Sequence, residues 1–279
     1  MKLYDYLISG LRLSSNLTII VLEETLFKVP WLGLYDIKSK SYLIQQMCVS
    51  FVPTLSSIVK GRKIRYEMYK TYGSPATTKS LLLDALCNSY SVKECENIKK
   101  FLSTSRLGIN VNHKTQFNIE EFLTYWRENT YIHIVGHGRD ISPSSNSIQF
   151  PFNENVNQRN SRPLGRHIHN VRTQLLVLSA CFGSHGWLDK DGTSGIVASF
   201  FASGVPNIVG FINLIDNGFC EEFFTIFYEQ LLANAGKRHW VASTIRETCK
   251  LLIKDLPFMS SAERDKLTVW PRCILYYSP

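Results

Sequence analysis

Two residues capable of nucleophilic and acid–base chemistry stand where apolar runs stop. The stretch "YIHIVGHGRD", residues 131–140, ends its apolar run at Gly136-His137-Gly138, and "LLVLSACFGS", residues 175–184, ends its run at Cys181. An imidazole beside a thiol takes its proton and stabilises the thiolate, which is the nucleophile. The same imidazolium later returns a proton to a leaving amine. Gly138 has no Cβ, so a substrate carbonyl can approach a backbone N–H there. The N–H groups of Gly138 and Cys181 are therefore candidates for an oxyanion hole. On periodicity alone, a buried structural cysteine and a strand-end structural histidine account for the same residues equally well.

For His137 and Cys181 to meet, the two runs must be neighbouring parallel strands, about 5 Å apart, with the reactive groups beyond their carboxyl ends. The pattern along the chain supports this. "LTIIVL", "YLIQQMCVSF", "IRYEMYKTYG", "LGINV", "YIHIVG", "QLLVLSA", "VPNIVGFIN" and "VWPRCILYY" read as strands. "TLSSIVK", "TTKSLLLDALCNSY", "SVKECENIKKFLST", "NIEEFLTYWREN", "SGIVASFFASG", "GFCEEFFTIFYEQLLANAG" and "HWVASTIRETCKLLIKD" read as helices. The second of these has its cap at Thr77 or Thr78. The third has Ser91 as cap, with Glu94 three residues on as a capping box. In the fourth, Ile119, Phe122, Leu123 and Trp126 share one face behind an Asn118 cap. Alternating strands and helices predict an α/β three-layer sandwich, a mostly parallel sheet flanked by helices. The runs ending at His137 and Cys181 are apolar almost throughout, as central strands covered on both faces must be.

The bulk numbers are compatible with one large domain. The chain has 279 residues, 44% of them hydrophobic, and no apolar stretch of the ~20 residues a membrane span requires. The opening "MKLYDYLISGLRLSSN" lacks the features of a cleavable leader. Seven scattered cysteines without metal-ligand spacing fit a reduced, cytoplasmic setting. The net charge is +8, densest in "KGRKIRYEMYK", where Lys60, Arg62, Lys63, Arg65 and Lys70 interleave with tyrosines. Such a patch suits nucleic acid or an acidic partner, or is a strand edge defended by charge.

Other chemistries fit less well. A third glycine of a dinucleotide fingerprint would fall at Ile141. In "GTSG", Ser194 is followed directly by glycine, so it is no nucleophile elbow. His133 and His137 lie on one face of a strand, and zinc with Cys181 is conceivable, but no fourth ligand is evident. His133 is better placed to pack inside or to hydrogen-bond its neighbours.

The sequence resembles the CHAT family of caspase-like cysteine peptidases, related to caspases and separase. "HIVGHG" is similar to the family's His-x-x-x-His-Gly signature and "LLVLSACFGS" to its Leu-Ser-Ala-Cys signature. The segment from Leu17 to Ile58, the stretch "GTSGIVASFFASGVPNIVGFINLIDN" and the closing "VWPRCILYY" resemble the surrounding modules. The family often has Glu-Thr after the cysteine, where this chain has Phe182-Gly183, and Leu-Trp in the segment where this chain has Phe211-Ile212-Asn213. The resemblance implies a caspase-type fold over residues 1–279, with an N-terminal module to about residue 75 and a catalytic part from about residue 76. It implies a catalytic dyad of His137 and Cys181 and a substrate cleft bordered by Ala180, Asn213 and Asp216, the last placed to hold a basic side chain or to cap the following helix. It further implies a cysteine endopeptidase cutting a few protein substrates without metal or organic cofactor. Control would come in trans from a regulatory or sensor protein, in bacterial stress, anti-phage defence or cell death. Nucleic acid would bind at most weakly, and no membrane is implied. The loop "FGSHGWLDKDGTSG" is polar and glycine-rich enough to be where activation acts. The alternative is a catalytically silent module docking protein or nucleic acid through the basic 60–70 face.

Overall fold

A computed structural model describes residues 18–21, 29, 31–52, 59, 63, 78–105, 108–115, 117, 119–139, 147–149, 155–156, 172–180, 187–189, 192–194, 200, 204–211, 215–235, 237, 239–255 and 273–277. Its centre is an eight-stranded sheet. Numbered along the chain, the strands are β1 (Thr18–Val21), β2 (Val49–Val52), β3 (Lys79–Asp84), β4 (Asn110–Lys114), β5 (Tyr131–Val135), β6 (Leu175–Ser179), β7 (Asn207–Phe211) and β8 (Cys273–Tyr277). Their order across the sheet is β1-β2-β8-β7-β6-β5-β3-β4. Five adjacent strands, β4, β3, β5, β6 and β7, run parallel. β8 is antiparallel to β7 and parallel to β2, so β1, β2 and β8 run the opposite way.

Among the described residues, four long helices cover the sheet: α1 (Ser89–Thr104), α2 (Ile119–Glu128), α3 (Asn217–Asn234) and α4 (Trp240–Asp255). Chain direction decides their faces. β3 to β4 steps outward through α1, and β4 to β5 steps back through α2. Right-handed crossovers therefore put α1 and α2 on opposite faces. Packing agrees. On one face α1 lies beside α3, and Phe211 of β7 meets Phe219, Phe223 and Phe224 of α3. On the other, Trp126 of α2 stacks on Phe200, with ring centroids 4.8 Å apart. Every residue of β6 and β7 is buried, as two-faced coverage demands.

The N-terminal segment joins the same sheet through β1 and β2. The backbone before β2 forms a one-turn helix, Leu43–Gln46. Its terminal carbonyls accept from the Arg246 guanidinium of α4, with Nη2 2.9 Å from Gln45 O, which supplies partners for groups a helix end leaves unpaired. Among the described residues, no helix is long and apolar enough to cross a membrane.

Several elements differ from the sequence reading. Residues 79–84 form strand β3, not part of a helix. "LLLDAL" is a short apolar run without decisive periodicity, and parallel partners on both sides, β4 and β5, settle it as a strand. Residues 42–51 are not one strand, because the turn of helix at 43–46 precedes β2. The cap of α1 is Asn88, whose Oδ1 accepts from the N–H groups of Tyr90 and Ser91, while Ser91 Oγ accepts from Asn88 N. Ser91 is thus the reciprocal member of the capping box and not the cap. The strand read at 64–73 and the Asn118 cap lie outside the described residues. In the helix read at 54–60 only Val59 is described. It is helical and exposed, as is Lys63 of the basic run. In the helix read at 194–204, Phe200 is helical and buried.

Removing the α1 cap has a definite cost. Asn88→Ala is expected to lower stability by about 1 kcal/mol, read as a lower urea midpoint with an unchanged slope. An unchanged midpoint would show that Asn88 does not hold the start of α1.

Candidate active site at the carboxyl ends of β5 and β6

β5 and β6 pair in parallel from Tyr131↔Leu175 to Val135↔Ser179 without a slip. The ladder extends one step further, Gly136 N donating to Ser179 O at 3.2 Å. β3 flanks β5 on the other side, pairing Asp84 with Val135, and Ala85 N donates to Val135 O at 2.9 Å. Three strand ends are thereby held level at one edge of the sheet. Ala180, just past β6, is buried. Beyond Gly136 the chain enters a second, three-stranded sheet. His137–Arg139 pairs antiparallel with Ser147–Gln149, which pairs with Asn155–Val156. The backbone of His137 lies opposite Gln149, and that of Gly138 opposite Ile148. The segment expected to carry activation contains an antiparallel pair, Trp187–Asp189 with Gly192–Ser194. Cys181 and Asn213 lie outside the described residues.

Asp216 is the N-cap of α3. Its Oδ1 accepts from Gly218 N at 2.9 Å and Phe219 N at 3.2 Å. The side chain remains exposed.

Behind β5 sits a buried polar cluster. His133, fully buried, has Nε2 2.7 Å from Glu94 Oε1 of α1, and its Nδ1 lies 3.3 Å from the Tyr228 hydroxyl of α3. Burial raises the Tyr228 phenol well above its ordinary value, so the hydroxyl stays protonated. With Nε2–H donating to the Glu94 carboxylate, Nδ1 can accept from the Tyr228 hydroxyl. Phe224 meets the imidazole edge-on, with centroids 5.0 Å apart. One histidine thus ties the strand leading to His137 to two helices, and its ring nitrogens are already engaged. This is the structural role foreseen for His133. Glu94 and Tyr228 were missed as its partners. The spacing of Ser91 and Glu94 reads as a capping box instead. The available signal was its place on the stripe Ser91, Glu94, Cys95, Ile98, Leu102, all buried, because a carboxylate on a buried stripe needs a partner.

The comparisons with known proteins can be set beside this geometry. Residues 1–270 match the CHAT domain. The chain belongs to the CHAT domain family. Two structures of the Saccharomyces cerevisiae separase–securin complex share its fold, with TM-scores of 0.58 and 0.56 at 12% and 13% identity, each over 94% of this chain. The chain spans only 15% and 16% of those chains. No curated protein matches it. The chain therefore has the caspase-like α/β fold of those separase structures, with its level strand ends at one edge of a central parallel sheet.

The His133 cluster makes a graded prediction. Glu94→Ala leaves a buried imidazole N–H unpaired and is expected to cost about 1–3 kcal/mol, whereas Tyr228→Phe loses one hydrogen bond and costs about 0.5–1.5 kcal/mol. Chemical denaturation of the two variants checks the order. Equal or reversed losses would show that Glu94 is not the anchor.

Proposed function

We propose that the chain is a cysteine endopeptidase with Cys181 as nucleophile and His137 as acid–base partner. The observation that carries this reading is the β5–β6 register. Val135 and Ser179 are opposed at the strand ends, and His137 and Cys181 each stand two residues further along their own segments. Membership of the CHAT domain family and the separase-like fold support the same class of chemistry.

In this reading His137 takes the thiol proton and the Cys181 sulfur attacks the peptide carbonyl. The backbone N–H groups of Gly138 and Cys181 hold the oxyanion. The carbon–nitrogen bond then breaks, and the amine leaves with the proton from His137. Water, deprotonated by His137, cleaves the thioester and restores the thiol. Ala180, Asn213 and Asp216 border the cleft. Asp216 commits Oδ1 to capping α3, while its Oδ2 has no hydrogen-bond partner among the described residues and can receive a basic substrate side chain. The whole chain acts as one unit, since β1 and β2 of the N-terminal part extend the sheet that carries the site. The substrate is a protein. Control comes in trans from a sensor or regulatory protein, in a cytoplasmic stress, defence or cell-death response.

The test is co-expression with the products of neighbouring genes, followed by mass spectrometry of new protein termini. A cut made by the wild type and lost in both Cys181→Ala and His137→Ala is expected. A cut that persists in Cys181→Ala, or salt-sensitive nucleic-acid binding with no cut in any combination, would replace the peptidase with a binding module.

A further inference from the structure

Away from the proposed dyad, three ligand-type side chains converge under α1. Asp84 ends β3, Cys95 lies on the sheet-facing stripe of α1, and His113 lies on β4. A carboxylate oxygen, the sulfur and a ring nitrogen all lie within 4.8 Å of one another. Pairing explains the convergence. Leu82 of β3 is opposite His113, so His113 and Asp84 share the face that α1 covers.

We infer that Asp84, Cys95 and His113 form a zinc-binding site that ties β3, β4 and α1 together.

Three features of the groups themselves point to a cation. Asp84 is completely buried, yet it has no ion-pair partner among the described residues. A buried carboxylate without a counter-charge is costly. His113 Nε2 is buried with no hydrogen-bond partner, the state of a nitrogen that lacks its acceptor or its metal. Cys95 is fully buried next to both, and its sulfur has no hydrogen bond among the described residues.

The carboxylate is already aimed. Its Oδ1 accepts from Leu86 N at 3.0 Å and Cys87 N at 2.9 Å, and its Oδ2 from Ser91 Oγ at 3.0 Å. Oδ2 retains a lone pair for monodentate ligation, and these bonds are the outer-sphere support that fixes a ligand's orientation. Tetrahedral zinc with bonds of about 2.0–2.3 Å puts its ligands roughly 3.5 Å apart. Small side-chain shifts therefore close the present spacing. A mixed sulfur, nitrogen and oxygen set suits zinc over magnesium or calcium.

Charge balances as well. Ligation takes the Cys95 sulfur as thiolate and Asp84 as carboxylate. Binding Zn²⁺ forms the zinc–sulfur bond and releases one proton to solvent. Two anionic ligands and one neutral imidazole then neutralise the ion. Cys87 is exposed in the adjoining loop, its sulfur 3.5 Å from the backbone oxygen of Asp84. It is the fourth ligand if the site is closed, and water takes that place if it is open.

The site has a structural consequence that does not depend on the peptidase reading. Cys95 follows Glu94, the anchor of His133, and Asp84 is the register partner of Val135. Zinc would fix α1 and the end of β3 against the strand that leads to His137.

The test uses the full chain, stripped with a chelator and titrated with Zn²⁺ and with Co²⁺. One tightly bound metal per chain is expected, with a thiolate-to-cobalt charge-transfer band and a rise in Tm. Cys95→Ser removes the band, and His113→Gln weakens binding without removing any sulfur. Ser91→Ala keeps all three ligands and is expected to weaken affinity about 10–100-fold. Cys87→Ser separates the closed from the open form: a loss of band intensity assigns the fourth ligand to Cys87, and an unchanged band assigns it to water. No charge-transfer band in the wild type, or metal binding unchanged in both His113→Gln and Ser91→Ala, would overturn the site even if Cys95→Ser fails to fold.

Discussion

Backbone hydrogen bonds lock β5 to β6 in a single parallel register, and the rest of the molecule is arranged around that pairing. A one-residue slip would turn every side chain of a strand to the opposite face. Here both faces are covered by helices, so a slip would also set His133, a polar group, among aromatic residues with no partner. The pairing is fixed from two sides, by β3 against β5 and by β7 against β6. Its outcome is local: β5 and β6 end at the same level, Val135 opposite Ser179.

Polar burial reinforces this frame. Glu94, His133 and Tyr228 join α1, β5 and α3 through hydrogen bonds that only one relative placement of the three elements satisfies. Apolar packing of α3 against β7, through Phe211, Phe223 and Phe224, tolerates small shifts. The 2.7 Å contact between Glu94 and His133 does not. A short buried hydrogen bond thus supplies positional precision, while the aromatic layer supplies most of the burial. Ser91 Oγ, donating to Asp84 Oδ2 at the end of β3, gives the same helix a second polar anchorage.

Much of the fold was legible from residue patterns. β1, β5, β6, β7, β8, α2, α3 and α4 have unambiguous signals: β-branched or fully apolar runs of strand length, or apolar stripes at helical spacing. Errors fell where two patterns overlap. "KSLLLDAL" is apolar enough for either element, and only its neighbours in the sheet make it β3. Ser91 and Glu94 have the spacing of a capping box, but Asn88 is better placed to cap and Glu94 turns inward. In "YLIQQMCVSF" a single helical turn is too short to leave a periodic trace.

The sequence by itself determined that two reactive residues stand just past two buried strands, because strand length and apolarity are local properties. Tertiary structure decided that those strands are neighbours in step, and which polar groups lie beneath them. Glu94 meets His133, and Cys95 meets Asp84 and His113, only because a right-handed crossover lays α1 over β3 and β4. Contacts made across a crossover depend on helix direction and sheet order, and neither leaves a mark in the spacing of residues along the chain.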